Sequence, residues 1–161
     1  MKQRRKRKDR ARPHQPHQSL ENLRPPLPKR SKLTLDLMND HKLIVADFEL
    51  ANATKRANGG DLNQSPLMAH LTHSMSEHFR KEEHVLFPLL SRYLGSEICE
   101  RLSGEHAEMM RIASPPNGEN SSRDESFSHL GELLRAHFAT EENVIFWYLD
   151  VRKLTDHPAA V

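Results

Sequence analysis

At 161 residues, 36% of them hydrophobic and 29% charged, the chain has the length of one ordinary domain and enough apolar residues for a core. Its one cysteine, Cys99, excludes an internal disulfide framework and an all-cysteine metal site; no apolar run nears the ~20 residues of a membrane span, and the basic start has no apolar stretch behind it that would make a secretory signal. The net charge of +2 conceals an asymmetry: residues 1–33 hold twelve Lys/Arg against Asp9 and Glu21, a net of +10, while the remainder holds twelve against twenty acids, a net of −8.

Residues 1–33 carry Pro13, Pro16, Pro25, Pro26 and Pro28 and few apolar side chains. This composition predicts a disordered tail. Its charge suits an anionic partner such as nucleic acid, anionic lipid or an acidic protein surface, although no aromatic residue is interleaved to stack on bases. A plain solvated extension is the blander alternative. The rest reads as a soluble, cytoplasmic protein.

From Thr34, a residue suited to an N-cap, the pattern turns helical, with Leu37, Met38, His41, Val45 and Phe48 on one face. Asn58-Gly59-Gly60-Asp61 ends this helix, and Ser65-Pro66 starts the next with Ser as cap and Pro at the first helical position. The second helix runs to about Leu94, with Leu67, Leu71, Met75, His78, Val85 and Leu89 sharing a face and Pro88 expected to kink it. Gly95 reads as its stop and Ser96 as a new cap. A third helix reaches about Ala113 with Cys99, Leu102, His106, Met109, Met110 and Ala113 on its stripe. After a loop rich in Pro, Gly, Asn and Ser, a fourth spans from about Asp124 to Val151, its stripe being Phe127, Leu130, Leu133, Leu134, His137, Glu141, Val144, Ile145 and Tyr148. Strand alternation is nowhere present. The expected fold is all-α, an antiparallel four-helix bundle over residues 34–151, with tails at 1–33 and 152–161.

Each helix thus carries a histidine within its apolar stripe: His41, His78, His106 and His137. Helices two and four add Glu82 and Glu141 four residues after the histidine, on the same face. Polar groups inside an apolar stripe are costly unless satisfied, and a metal ion would satisfy them. The segments nearly repeat: His78-Phe79-Arg80-Lys81-Glu82-Glu83 matches His137-Phe138-Ala139-Thr140-Glu141-Glu142, with Phe87 and Phe146 as approximate counterparts. On the helical wheel Glu83, Glu142, His73, His84 and His129 fall outside the ligand face, His70 is marginal, and His14, His17 and His157 lie in the tails. Four imidazoles and two carboxylates suit iron, manganese or zinc, and two bridging carboxylates with two imidazoles per metal describe a dinuclear non-haem site. No histidine follows a Glu by three residues, which excludes the Glu-x-x-His arrangement of ferritin-type sites.

The motifs Asp40-His41, His78-x-x-x-Glu82-Glu83 with Leu86-Phe87-Pro88, Glu105-His106 and His137-x-x-x-Glu141-Glu142 resemble the hemerythrin family, specifically its HHE cation-binding domain. The resemblance covers about residues 34–150. It implies an up-down-up-down bundle around two non-haem irons, with His41, His78, His106 and His137 as imidazole ligands and Glu82 and Glu141 as bridges. It also implies handling or sensing of oxygen, nitric oxide or peroxide. Alternatives on the same site are an enzyme acting on peroxide or delivering iron for iron–sulfur cluster repair, or an iron-sensing regulator whose tail binds nucleic acid. Oxygen-carrying members have a fifth histidine where this chain has Met110, a soft thioether poorly matched to ferric iron. That departure argues against reversible oxygen carriage and leaves room for peroxide or nitric oxide chemistry. Cys99, two turns from His106, reads as a small core residue, and Trp147 as a boundary packing residue.

Overall fold

The computed structural model describes residues 28–58, 65–114 and 123–155. Of the tail expected to be disordered, residues 1–33, the part at 1–27 lies outside the described residues, as do the two loops at 59–64 and 115–122 and the chain end at 156–161, whereas residues 28–33 are described and lead into the first helix. The described residues are helical, with no strand among them: α1 (Lys32–Asn58), α2 (Pro66–Lys81), α3 (Phe87–Leu94), α4 (Ser96–Ala113), α5 (Arg123–Thr140) and α6 (Phe146–Val151). One π turn, Glu82–Leu86, joins α2 to α3, and another, Glu141–Ile145, joins α5 to α6. The six helices therefore form four rods. No helix of the described residues is long and apolar enough to cross a membrane.

The rods pack side by side, and their cross-contacts give the directions. Along α1, Thr34 meets Asp150, His41 meets Glu142 and Glu49 meets Arg135, so α1 runs against the fourth rod. Asp40 meets Lys81 and Asp47 meets Ser74, so it also runs against the second. Thr72 bonds to Ala113 O, Glu83 meets His106 and Cys99 bonds to Phe87 O, so the second and third rods are antiparallel too. At Gly131 a Cβ would lie 2.5 Å from Phe48 Cζ, so α5 approaches α1 more closely than any side chain there allows.

Local sequence explains the ends. Ser65 caps α2 by accepting from Met68 N at 3.2 Å, with Pro66 at the first helical position as expected. Gly95 has φ 92°, a conformation that favours glycine, and it separates α3 from α4. Three end assignments need correction. Ser31, not Thr34, caps α1: its Oγ accepts from Thr34 N at 3.1 Å, and the helix begins at Lys32. Thr34 is instead fully buried, donating to Asp150. Asp150 also accepts from Ser31 N and Arg30, so the structured part starts before residue 34. Ser96 is already helical, with Gly95 as the preceding cap. Beyond Val151, Leu154 still packs on the core, so the domain does not stop at 151.

Pro88 does not simply kink a continuous helix. It sits in the first turn of α3, where a missing N–H costs little, just after the first π turn. Proline is not what makes the π turn, because the second π turn is followed by Trp147 at the corresponding position. The extra residue in each π turn advances the buried stripe by one position. Val85 and Val144, expected inside, are 47% and 59% exposed, while Leu86, Leu90, Ile145, Phe146 and Leu149 fill the interior.

Two apolar clusters result. One gathers Ile44, Phe48, Met75, Phe79, Met109, Leu130 and Leu134 with their neighbours; the other gathers Leu37, Leu86, Leu90, Leu102, Ile145, Phe146 and Leu149. In rods one and three His41 and His106 lie between the residues of one cluster and those of the other; in rods two and four His78 and His137 come one residue before the last residue of the first cluster, Phe79 and Phe138, and Glu82 and Glu141 stand between the clusters.

Candidate metal centre

That middle layer holds buried His41, His78, Glu82, His106, His137 and Glu141, none more than 3% exposed. They form two overlapping sets, His41-His78-Glu82-Glu141 and Glu82-His106-His137-Glu141, and in each set one ligand atom per residue lies within 4.8 Å of all the others. Both carboxylates belong to both sets. Each carboxylate starts a π turn, and the extra residue that follows lets the rod resume its apolar stripe.

All four imidazoles turn Nε2 inward. His78 Nε2 and His106 Nε2 each lie 3.3 Å from Glu82, His41 Nε2 3.3 Å from Glu141, and His137 Nε2 3.4 Å from Glu141. His106 Nε2 and His137 Nε2 are 3.0 Å apart. Inside this layer His41 Nε2, both ring nitrogens of His78 and all four carboxylate oxygens of Glu82 and Glu141 lack a hydrogen-bond partner. An unpaired buried polar atom costs about 1–3 kcal/mol, and a cluster of seven is hard to reconcile with packing alone. A cation bound by nitrogen and oxygen donors would satisfy the six that face inward, all but His78 Nδ1, so the residues fit a metal site.

The electrostatics show the same tension. Burial lowers the His41 imidazole, but the carboxylates of Glu141, Glu82 and Glu142 outweigh it and hold the group up at about 9. Burial would raise Glu82, but the imidazoles of His106, His41 and His78 hold it well below the usual carboxylate range. Glu141 goes the other way: burial, with the charge of Glu82 beside it, pushes its carboxyl up to about 8. His106 is raised by Glu82 and Glu83 against its burial, while burial and the neighbouring His106 lower His137. Without a metal the layer therefore holds one charged carboxylate, one neutral carboxyl and a shared set of protons. Coordinating nitrogen and oxygen atoms must be deprotonated, so cation binding here releases protons.

Sequence reasoning missed the layer outside. Each Nδ1 faces a carboxylate from a neighbouring rod: His41 to Glu142 at 2.9 Å, His106 to Glu83 at 3.0 Å, His137 to Glu105 at 2.7 Å and His78 to Asp40 at 3.6 Å. Every one of these acids is the chain neighbour of a residue in the inner layer, and together they pass once around the four rods. Glu83 and Glu142 do fall outside the central face, but they reach the imidazole of the next rod rather than open solvent. The signal was an acid beside each inner residue: Asp40-His41, Glu82-Glu83, Glu105-His106 and Glu141-Glu142. A carboxylate on Nδ1 orients the ring and leaves Nε2 free for a metal.

Four phenylalanines wall the imidazoles. Phe79 stacks on His106 at 4.0 Å and Phe138 on His41 at 3.9 Å, while Phe87 and Phe146 lie near-parallel to the same two rings at 5.7 and 5.6 Å. The duplicated segments thus play equivalent parts. Among the described residues the other histidines stay out: His84 Nδ1 meets Arg80 O, exposed His70 lies 3.4 Å from Asp47, and His129 lies 3.8 Å from Glu132. Met110 packs against the cluster containing Met109 and Ala113. Half-buried Cys99 packs on the other cluster, and burial raises its thiol, which makes it a weak nucleophile. Trp147 is 44% exposed.

Comparison with protein families matches residues 33–146 to the hemerythrin HHE cation binding domain. Comparisons with curated proteins and with solved structures gave no match. The matched span contains every residue of both ligand sets and of the surrounding carboxylates, and on that basis the chain belongs to the hemerythrin HHE cation-binding family.

Proposed function

We propose that this protein binds two non-haem irons in its middle layer and uses them to handle or sense a small ligand: oxygen, nitric oxide or peroxide. His41, His78, His106 and His137 are the proposed imidazole ligands, and Glu82 and Glu141 the bridges, within an up-down-up-down bundle. The observation that carries this reading is that both carboxylates are common to two four-residue ligand sets. A single cation would leave two imidazoles of the layer without a role.

Iron when bound would supply redox chemistry and a place for a small exogenous ligand. The chain's own part is to hold the donors, orient the rings from outside and keep water away with Phe79, Phe87, Phe138 and Phe146. Met110 contributes packing rather than a fifth imidazole, so each set offers four protein donors. This favours reaction or sensing over reversible oxygen carriage.

Anaerobic iron loading tests the proposal. It expects about two irons per chain and oxo-bridge absorption after oxidation, followed by stopped-flow responses of the reduced protein to nitric oxide or peroxide. Stoichiometric zinc with no iron uptake, or one metal per chain, would overturn the di-iron reading. Cytoplasmic residence belongs to the same proposal; a chain with one cysteine, Cys99, fits a reducing compartment. A second reading rests on the charge asymmetry: the +10 segment at residues 1–33 docks on an anionic partner such as nucleic acid. Binding that is lost on deleting this segment and weakens steeply with salt would support it, and salt-independent binding would sink it.

A further inference from the structure

The outer ring of carboxylates is closed at three links and open at the fourth. Glu142, Glu83 and Glu105 lie 2.7–3.0 Å from the Nδ1 atoms of His41, His106 and His137. Asp40 Oδ2 stands 3.6 Å from His78 Nδ1, and that nitrogen, on a residue only 1% exposed, has no hydrogen-bond partner. The same oxygen lies 2.5 Å from Lys81 Nζ. A charge-assisted contact at that distance outcompetes a neutral imidazole N–H.

The internal repeat supplies a control. Lys81 follows His78 by three residues, and the residue that follows His137 by three is Thr140, whose hydroxyl donates to Ala136 O. With no ammonium at that place, Glu105 keeps its Oε2 on His137 at 2.7 Å, and its other oxygen lies 4.0 Å from Arg101. The two halves of the centre therefore differ by design of the sequence. His106 and His137 are both held from outside, whereas in the other half only His41 is.

We infer that Lys81 is a positioning residue that draws Asp40 off His78, so that the His41–His78 half of the centre releases its metal ion faster than the His106–His137 half. This rests on the two-metal reading above and adds an order of release to it. An imidazole without its outer partner is free to change tautomer and tilt, and loss of such a partner typically weakens metal binding about 10–100-fold. Lys81 is about half exposed, at 49% of its side chain, so its hold on Asp40 can be lost to water without unpacking the core.

The test loads the full chain with two equivalents of cobalt(II) and follows its release to a chelator. Wild type should release in two phases of unequal rate. Lys81→Thr, which copies the second half of the repeat, should slow the fast phase about tenfold or more and leave the slow phase alone. Lys81→Arg should behave as wild type. Asp40→Ala should change little by itself but erase the effect of Lys81→Thr, a non-additivity that removal of a positive charge alone would not produce. In the metal-free protein, nitrogen NMR should show His78 moving to the Nδ1–H tautomer in Lys81→Thr. An unchanged fast phase in Lys81→Thr, or slowing that survives Asp40→Ala, overturns the inference while two bound cobalt ions uphold the centre. A wild-type chain that binds no cobalt overturns both.

Discussion

Replacing Glu141 by Gln separates the metal-free state of the centre from the loaded one. In the metal-free protein burial, with the charge of Glu82, pushes the Glu141 carboxyl up to about 8 from its ordinary 4.5. At neutral pH this residue is therefore protonated when folded and ionised when unfolded. A raised carboxyl is harmless below the unfolded value; its penalty grows as pH rises towards the folded value and is constant above it. Between the ordinary value and pH 7 lie about 2.5 pH units, which at about 1.36 kcal/mol each is on the order of 3 kcal/mol. Glutamine has the shape of the neutral acid and no proton to take up. Metal-free Glu141→Gln should then exceed wild type in stability by on the order of 3 kcal/mol at pH 7, roughly 10 °C in Tm, and converge with it near the ordinary carboxyl value. In the loaded protein the sign reverses, because a neutral amide is a poor substitute for a bridging carboxylate. Metal content should fall below two per chain, and the rise in Tm on loading should shrink. Thermal melts of chelator-treated and iron-loaded protein at both pH values, with metal analysis, read all of this out. A metal-free variant no more stable than wild type at pH 7 refutes the neutral Glu141, and a variant that keeps two irons refutes its place as a ligand.

Glu82→Ala should behave differently, because the surrounding imidazoles keep Glu82 ionised: the metal-free variant should lose about 3 kcal/mol in denaturant melts, as expected when a buried charged partner is removed, and should bind little iron. Metal affinity should rise with pH between about 7 and 9, by up to about tenfold per pH unit for each proton displaced, because His41 at about 9 and Glu141 at about 8 hold protons that the metal must replace. Calorimetry in two buffers measures that release, and a pH-independent affinity would contradict the proton inventory. Gly131→Ala should lower stability by about 1–3 kcal/mol, more than the helix-propensity gain of up to ~1 kcal/mol, because the new Cβ meets a Phe48 ring already stacked on Phe127 at 4.7 Å. Its iron content should stay at the wild-type value.

Periodicity made the four rods and all six inner residues legible, because a wheel of about 100° per residue is enough to bring positions four apart onto one face. It failed where the rods leave that geometry. After Glu82 and Glu141 the π turn inserts a residue, so the interior takes Leu86 and Phe146 where the wheel places Val85 and Val144. It failed also for Glu83, Glu105, Glu142 and Asp40, for a different reason. A wheel says which way a side chain leaves its own helix, but not what the neighbouring helix presents there. The seam between two rods is neither core nor solvent, and an acid in it can hold an imidazole that belongs to another element. Ser31 was missed as a cap because its segment looked, by composition, like part of the basic tail. Its place is fixed by Asp150, 119 residues away.

The duplicated segment explains how one short pattern builds most of the centre. In His-Phe-x-x-Glu-Glu the histidine and first Glu face inward, the Phe stacks on the imidazole of a neighbouring rod, and the second Glu holds that same imidazole from outside: Phe79 and Glu83 serve His106, as Phe138 and Glu142 serve His41. Rods one and three need only an acid followed by a histidine. Rods one, three and four thus each depend on a neighbour to orient their imidazole, and the middle layer is completed only when all four rods are docked. In the metal-free protein that layer contributes little, since seven of its polar atoms find no hydrogen bond and Glu141 is held from ionising. The apolar clusters on either side must carry the fold, each fully buried leucine contributing about 1.5–3 kcal/mol. Metal binding then stabilises the folded state by mass action, and most strongly in the layer that packing alone leaves unsatisfied. A chain arranged in this way ties the association of its four rods to occupancy of the centre.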